Sequence, residues 1–170
     1  IAFVLGSTGQ DGSYMCELLL KKKYKVYALV RKSATGNTKN IDHLINDKKI
    51  LDKKFFLVKG DLNDHNSIRN IISSVKPSEI YNFADQDHVG WSFAIPSYSL
   101  MTTSHSLINI LESIKSTNKK IKYFHPLSSN MFGRTKSKMQ NESTPFNPQS
   151  VYAISKVTCY HLSNLYRNVY

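Results

Sequence analysis

The chain has 170 residues, 41% hydrophobic and 21% charged, the proportions of an ordinary globular domain, which sets aside disordered, collagen-like and coiled-coil classes. Lys and Arg total 23 against 12 acids, a formal charge of +11; that excess suits an anionic partner, yet the lysines fall in small groups at element ends, as solvated surface charge does. No apolar run approaches the ~20 residues of a membrane span, no signal peptide opens the chain, and two cysteines, Cys16 and Cys159, are too few for a disulfide framework or a four-ligand zinc site. A reducing, cytoplasmic setting without a metal or membrane is expected.

Short β-branched or aromatic runs alternate with longer stretches of helical period, the pattern of stacked βαβ units. In chain order the pattern predicts a strand over 1–5, a helix over 13–22, a strand over 25–30, a helix over 40–48, a strand over 54–58 and a helix over 64–75. A strand over 79–84, a helix over 96–115, a strand over 121–127 and a helix over 150–166 complete it. Asn63 or Asp64 can cap the third helix, and Pro77 follows its end. Right-handed crossovers then give a Rossmann-like α/β fold, a doubly wound parallel sheet of order 3-2-1-4-5 between two helical layers, with ligands gathered where the strand order reverses. The fifth strand is left at an edge with no sixth beside it, so residues 1–170 read as one nucleotide-binding domain cut short of a substrate-binding region.

Gly6-Ser7-Thr8-Gly9-Gln10-Asp11-Gly12 joins the first strand to the first helix. Gly6 permits the tight turn, Gly9 lets backbone amides approach a pyrophosphate, and Gly12 lets the helix pack closely on the sheet, while the helix N-terminus favours the negative charge. NAD sites usually carry an acid at the end of the second strand. Here Arg31, Lys32 and Ser33 stand there, and cations suit a 2′-phosphate, which favours NADP over NAD. After the third strand, the Asp61 carboxylate in Gly60-Asp61-Leu62 suits either an adenine amino group or a helix cap.

Tyr152 and Lys156 are four apart on the last helix and so share a face, where an ammonium favours the phenolate and reaches ribose hydroxyls. Ser128 and Ser129 follow the fifth strand, at the carboxyl edge where the glycine loop also lies, ready to bind a substrate hydroxyl or carbonyl.

Six segments together carry a resemblance: GSTGQDGSY at 6–14, Arg31-Lys32-Ser33, Gly60-Asp61-Leu62, IYNFADQDHV at 80–89, SSNMFG at 128–133 and TPFNPQSVYAISK at 144–156. Over essentially its whole length the chain resembles the nucleotide-binding half of the extended short-chain dehydrogenase/reductases, most closely the GDP-mannose 4,6-dehydratases and their nucleotide-sugar relatives. The resemblance implies a tightly held, recycled NADP. Its coenzyme contacts would come from Gly6, Thr8, Gly9, Gln10, Asp11 and Gly12, then from Arg31, Ser33, Asp61 and Leu62, and finally from Ala84, Gln86, Tyr152 and Lys156. Ser128, Tyr152 and Lys156 would form the catalytic set, and a nucleoside-diphosphate sugar, with GDP as the implied nucleotide, would be the substrate. It also implies a homodimer or homotetramer paired through helices; Leu107, Ile110 and Leu111 suit that pairing or packing on the sheet.

The implied reaction oxidises the sugar at C4, eliminates across C5 and C6 and returns hydride to C6. The family usually places Glu two residues after the catalytic Ser or Thr, and here Asn130 stands there. An amide cannot take the C5 proton, so another group substitutes or the chemistry is epimerisation or ketone reduction. Asp85 and Asp87 occupy positions where the family tends to have small residues. Asp87 reads as a substitute acid or base, or as a polar turn residue, and His88 as a ligand contact or a structural histidine. A non-catalytic NADP-binding module is a further reading; nucleic-acid binding lacks any recognition motif.

Overall fold

A computed structural model describes residues 1–31, 33 and 36–170. Its elements are β1 (Ala2–Leu5), α1 (Gln10–Lys21), β2 (Val26–Val30), a 3₁₀ turn (Lys39–Ile41) leading into α2 (Asp42–Ile45), β3 (Phe55–Lys59), α3 (His65–Val75) and β4 (Glu79–Asn82). Then follow α4 (Val89–Ala94), α5 (Pro96–Leu100), a π-helical turn (Met101–His105), α6 (Ser106–Thr117), β5 (Lys122–Phe124), a 3₁₀ turn (Ser129–Phe132) and α7 (Val151–Val169). Two compact units result, one of Ile1–Asp85 with Glu112–Pro126, the other of Gln86–Leu111 with Leu127–Tyr170.

The first unit holds one parallel sheet of order β3-β2-β1-β4-β5, the predicted doubly wound order. Every β1 residue is buried because strands pair on both its sides and both faces are covered, as its unbroken apolar run required. Ala2, Val4, Val26, Ala28 and Phe55 pack with Cys16 and Leu19 of α1 and with Ile41 and Leu44 into one core. Tyr27 and Phe56, opposite in register, stack with centroids 4.7 Å apart. Asp64 caps α3, its carboxylate accepting from Asn66 N and Ser67 N, and Ile68 and Ile72 form the helix's buried stripe. Lys76 closes it in the left-handed region just before Pro77, since proline cannot continue a helix.

Several boundaries differ from the sequence reading. β4 stops at Asn82 because the Asn82 Oδ1 accepts from Ala84 N at 3.1 Å, turning the chain. β5 stops at Phe124 because Pro126 lacks an N–H and restricts the residue before it. The 40–48 helix shrinks to a 3₁₀ turn and α2, where Ile41 and Leu44 are the buried residues. The 96–115 helix is interrupted by the π turn. There Thr102, Thr103 and Ser104 are buried and the Ser106 hydroxyl bonds back to the Thr102 carbonyl, the side-chain competition that perturbs helices.

In the second unit, Ser150 caps α7 by accepting from Ala153 N. One face of α7 buries Tyr152, Ala153, Ser155, Lys156 and Cys159. The Ser104 hydroxyl donates to the Ser155 carbonyl, and Phe146 packs between Phe132 and the edge of Tyr160. No helix among the described residues is long and apolar enough to cross a membrane.

Candidate functional site

The glycine turn is built by exclusion of side chains. Gly6 has φ +74°, and a Cβ there would lie 2.5 Å from the Phe83 carbonyl carbon and oxygen. A Cβ on Gly12 would overlap the Gly6 carbonyl oxygen. The turn is therefore pressed against the end of β4 on one side and against the third residue of α1 on the other. Gly9, the N-cap of α1, brings no side chain to cap the helix, so the first-turn amides lie outside the helical ladder, as an anion site requires. Ser7 and Asn40, which the sequence reading missed, fix the turn: Ser7 Oγ donates to the Leu29 carbonyl at 2.7 Å, and Asn40 Nδ2 donates to the Thr8 carbonyl at 2.9 Å. A serine between two glycines gives no sequence signal of its own, and Asn40 lies a whole βαβ step away.

Gln10 and Asp11 are exposed at the start of α1, and Arg31 and Ser33 are exposed after β2. Lys32 lies outside the described residues. The Asp61 carboxylate accepts from Asn63 N at 2.9 Å in an Asx turn. The cap of α3 is Asp64, so the cap reading of Asp61 is corrected. Leu62 is buried beside it and Ala84 is half-buried at the end of β4.

In the second unit, the Gln86 Nε2 donates to the His88 carbonyl, while its Oε1 is buried with no hydrogen-bond partner among the described residues. His88 caps α4, its Nδ1 accepting from Trp91 N, a structural contact and one of the two roles the sequence left open; Asp87 is exposed. Ser128 Oγ, capping the 3₁₀ turn, accepts from both the backbone N and the Nδ2 of Asn130 at 3.2 Å. With both contacts supplied by donors, its own proton is free to be given to another oxygen. Tyr152 and Lys156, 8% and 3% exposed, lie on the buried face of α7, with Lys156 Nζ 5.8 Å from the Tyr152 ring centroid. An ammonium within about 6 Å of a phenol ring is attracted by the ring's face. Ser128, Asn130, Tyr152 and Lys156 thus all lie in this unit, and the glycine turn, Arg31, Ser33, Asp61 and Ala84 in the first.

A doubly wound sheet of this order, opened by a glycine turn and followed by a Tyr-x-x-x-Lys helix, is a Rossmann-type fold of the extended short-chain dehydrogenase/reductase kind. The family model for GDP-mannose 4,6 dehydratase matches residues 3–170. GDP-mannose 4,6 dehydratase 1 of Arabidopsis thaliana is 42% identical over all of this chain and 48% of its own, and GDP-mannose 4,6-dehydratase of Vibrio cholerae is 38% identical over all of this chain and 46% of its own. The chain belongs to the GDP-mannose 4,6-dehydratase family, and it spans about half the length of these curated relatives. Among solved structures, the UDP-Glc/GlcNAc 4-epimerase of Campylobacter jejuni superposes with TM-score 0.87 at 20% identity, over 98% of this chain and 49% of that one. A dTDP-glucose 4,6-dehydratase from Streptomyces venezuelae with NAD bound superposes with TM-score 0.86 at 24% identity, over 100% and 52%. These two show the same fold.

Proposed function

We propose that this chain is the coenzyme-binding part of an NADP-dependent enzyme that dehydrates a GDP-linked hexose, GDP-mannose being the first substrate to test. The observation that carries this reading is the buried Tyr152 and Lys156 pair on α7, in the same compact unit as the Ser128 hydroxyl, which keeps its proton to give, in a member of this family. The glycine turn fits a dinucleotide: its two obligate glycines make a cradle that side chains would fill, and α1 opens on uncapped amides. Gly6, Gly9, Gly12 and the first turn of α1 would hold the pyrophosphate, Thr8, Gln10 and Asp11 its flanks, and Asp61, Leu62 and Ala84 the adenosine side. Arg31 and Ser33 would meet a 2′-phosphate, which is the support for NADP over NAD. The orphaned Gln86 Oε1 is an acceptor for a ribose or amide donor.

When bound, a nicotinamide supplies the acceptor and donor of a hydride. The protein's own part is proton management. Tyr152 takes the proton of the sugar C4 hydroxyl, and Ser128 orients that oxygen. Product analysis of the complete gene product with GDP-mannose tests the reading: the 4-keto-6-deoxy sugar is expected, and Tyr152→Phe should lower turnover by about 10²–10⁴-fold. A C4-inverted or reduced product would instead establish epimerase or reductase chemistry, the second reading, which Asn130 favours because its amide donates to Ser128 and accepts no proton. NADP binding without conversion of any sugar, and without effect of Tyr152→Phe, would establish a binding module.

The assembly we propose is a homodimer or homotetramer. Leu107, Ile110 and Leu111 are buried within the chain and so are not the pairing surface. Trp91, Phe93, Met101 and Ile154 instead leave apolar surface exposed on α4, the π turn and α7. Light scattering should give a multiple of the chain mass, and Trp91→Glu should shift it toward the monomer.

A further inference from the structure

The polarity of the glycine turn is completed by a residue from beyond β2. A backbone site for an anion presents its amides and withdraws its carbonyls, because a carbonyl oxygen left beside a phosphate repels it. The turn and α1 do most of this alone. Gly6 O accepts from Gly9 N at 2.9 Å, Gly9 O from Ser13 N at 3.1 Å and Gln10 O from Ser13 Oγ at 2.7 Å. Gln10, Asp11 and Gly12 form the first turn of α1, where amides have no acceptor within the helix. The Thr8 carbonyl differs in taking its donor from outside, the Asn40 Nδ2 at 2.9 Å. The peptide between Thr8 and Gly9 is thereby held at both ends, its oxygen by Asn40 and its N–H by the Gly6 carbonyl. A planar peptide turns only as a whole, so these two bonds decide which way the Thr8 oxygen points.

Asn40 is itself anchored on both sides, although its side chain is exposed. Ile41, fully buried, belongs to the core that holds Cys16 and Leu19 of α1. Ile41 N closes the 3₁₀ turn on the Thr38 carbonyl at 2.7 Å, and His43 Nε2 lies 3.0 Å from Glu17 Oε1 of α1. The backbone that carries Asn40 is thus docked on the helix whose first turn follows the glycines, and only the side-chain torsions of Asn40 remain to be ordered.

We propose that Asn40 is a positioning residue for the coenzyme: by holding the Thr8 carbonyl, it leaves the α1 amides as the groups that meet the pyrophosphate. This rests on the coenzyme reading above. Asn40 acts through Thr8 and on the pyrophosphate, which NADP and NAD share. It therefore sets the affinity for both without choosing between them, unlike Arg31, whose place is at the 2′-phosphate.

The test is calorimetric titration of the complete gene product with NADP and with NAD, well below the unfolding midpoint of each variant. Asn40→Leu keeps the size and removes the donor, and it should weaken both coenzymes by the same factor, about fivefold, as for one neutral hydrogen bond. Asn40→Gln keeps a donor on an adjustable side chain and should return most of the loss. Affinities of Asn40→Leu within about twofold of wild type, a loss confined to NADP, or no recovery in Asn40→Gln overturns the proposal. A merely structural role would lower the midpoint and leave both affinities unchanged, which also refutes it. If wild type binds neither coenzyme, the coenzyme reading falls, and NMR of the free protein decides the role of Asn40. The Thr8 carbonyl and Gly9 amide resonances should move in Asn40→Leu and return in Asn40→Gln, and inorganic pyrophosphate should shift the Gln10 and Asp11 amides less in Asn40→Leu than in wild type. Unmoved Thr8 and Gly9 resonances, or equal pyrophosphate shifts, refute it.

Discussion

Replacing Gly12 by alanine sets two effects against each other. Gly12 is the third residue of α1, inside a helix, where alanine is favoured over glycine by about 1 kcal/mol. The added Cβ, however, overlaps the Gly6 carbonyl oxygen and lies 2.6 Å from the Gly6 carbonyl carbon and 3.0 Å from Ser7 Cα. All three are backbone atoms of the turn, and non-bonded carbons prefer about 3.5–4.0 Å, so the turn must withdraw by roughly 1 Å. No side-chain rotation relieves this, which puts the overpacking cost at the upper end of about 1–3 kcal/mol. The net loss is then about 2 kcal/mol, an unfolding midpoint lower by about 4–8 °C for a domain of this size. The same withdrawal carries the first-turn amides away from the pyrophosphate. Thermal unfolding followed by circular dichroism, with and without NADP, reads both: wild type should gain about 2.7 kcal/mol at a coenzyme concentration a hundred times Kd, whereas Gly12→Ala should start lower and gain little. A variant with a raised midpoint and an intact coenzyme shift would show that helix propensity wins and that the turn is not a cradle.

If Arg31 meets a 2′-phosphate, Arg31→Glu should weaken NADP binding by at least about tenfold and leave NAD unchanged in calorimetric titrations; equal losses for both coenzymes would remove the basis for NADP. Burial and a hydrogen bond from its hydroxyl to the Glu79 carboxylate push the Tyr81 phenol up to about 12. A raised value means the neutral phenol is favoured in the fold, so its contribution to stability is present below the ordinary value of about 10 and lost as pH climbs from there toward 12. Glu79→Gln should lower the Tyr81 midpoint in ultraviolet titration, and an unmoved midpoint would contradict the assigned hydrogen bond. Burial, with the neighbouring Glu17 charge second, pushes the Cys16 thiol up to about 12. Aromatic disulfide reagents at pH 8 should therefore label it only as fast as the protein unfolds, and a rapid phase assigned to Cys16 by mass spectrometry would refute its burial.

What could be read in the sequence, and what could not, divides by the range of the interactions. β1 and β2 are apolar on both faces, and that alone predicts central parallel strands. The turn from Gly6 to Gly12 and the shared face of Tyr152 and Lys156 are local spacings, so the main parts of the site were legible. The π turn was not, because Thr102 and Ser106 look like ordinary helix residues until the hydroxyl finds the carbonyl four residues back. The buried pair of Asp85 and His125, with Oδ2 and Nε2 3.1 Å apart, was half legible: Asp85 stands out against the family pattern, but nothing near His125 in the chain marks it. Parallel pairing of β4 with β5, which sets Tyr81 level with Phe124, brings the residues just beyond both strands to one level. Asn82 ends β4 by turning its oxygen back to Ala84, and the same turn aims its amide hydrogens at Tyr123 and His125. The residue that sets the end of β4 thus also bonds it to β5 through the Tyr123 hydroxyl, and a strand boundary misplaced by two residues hides both.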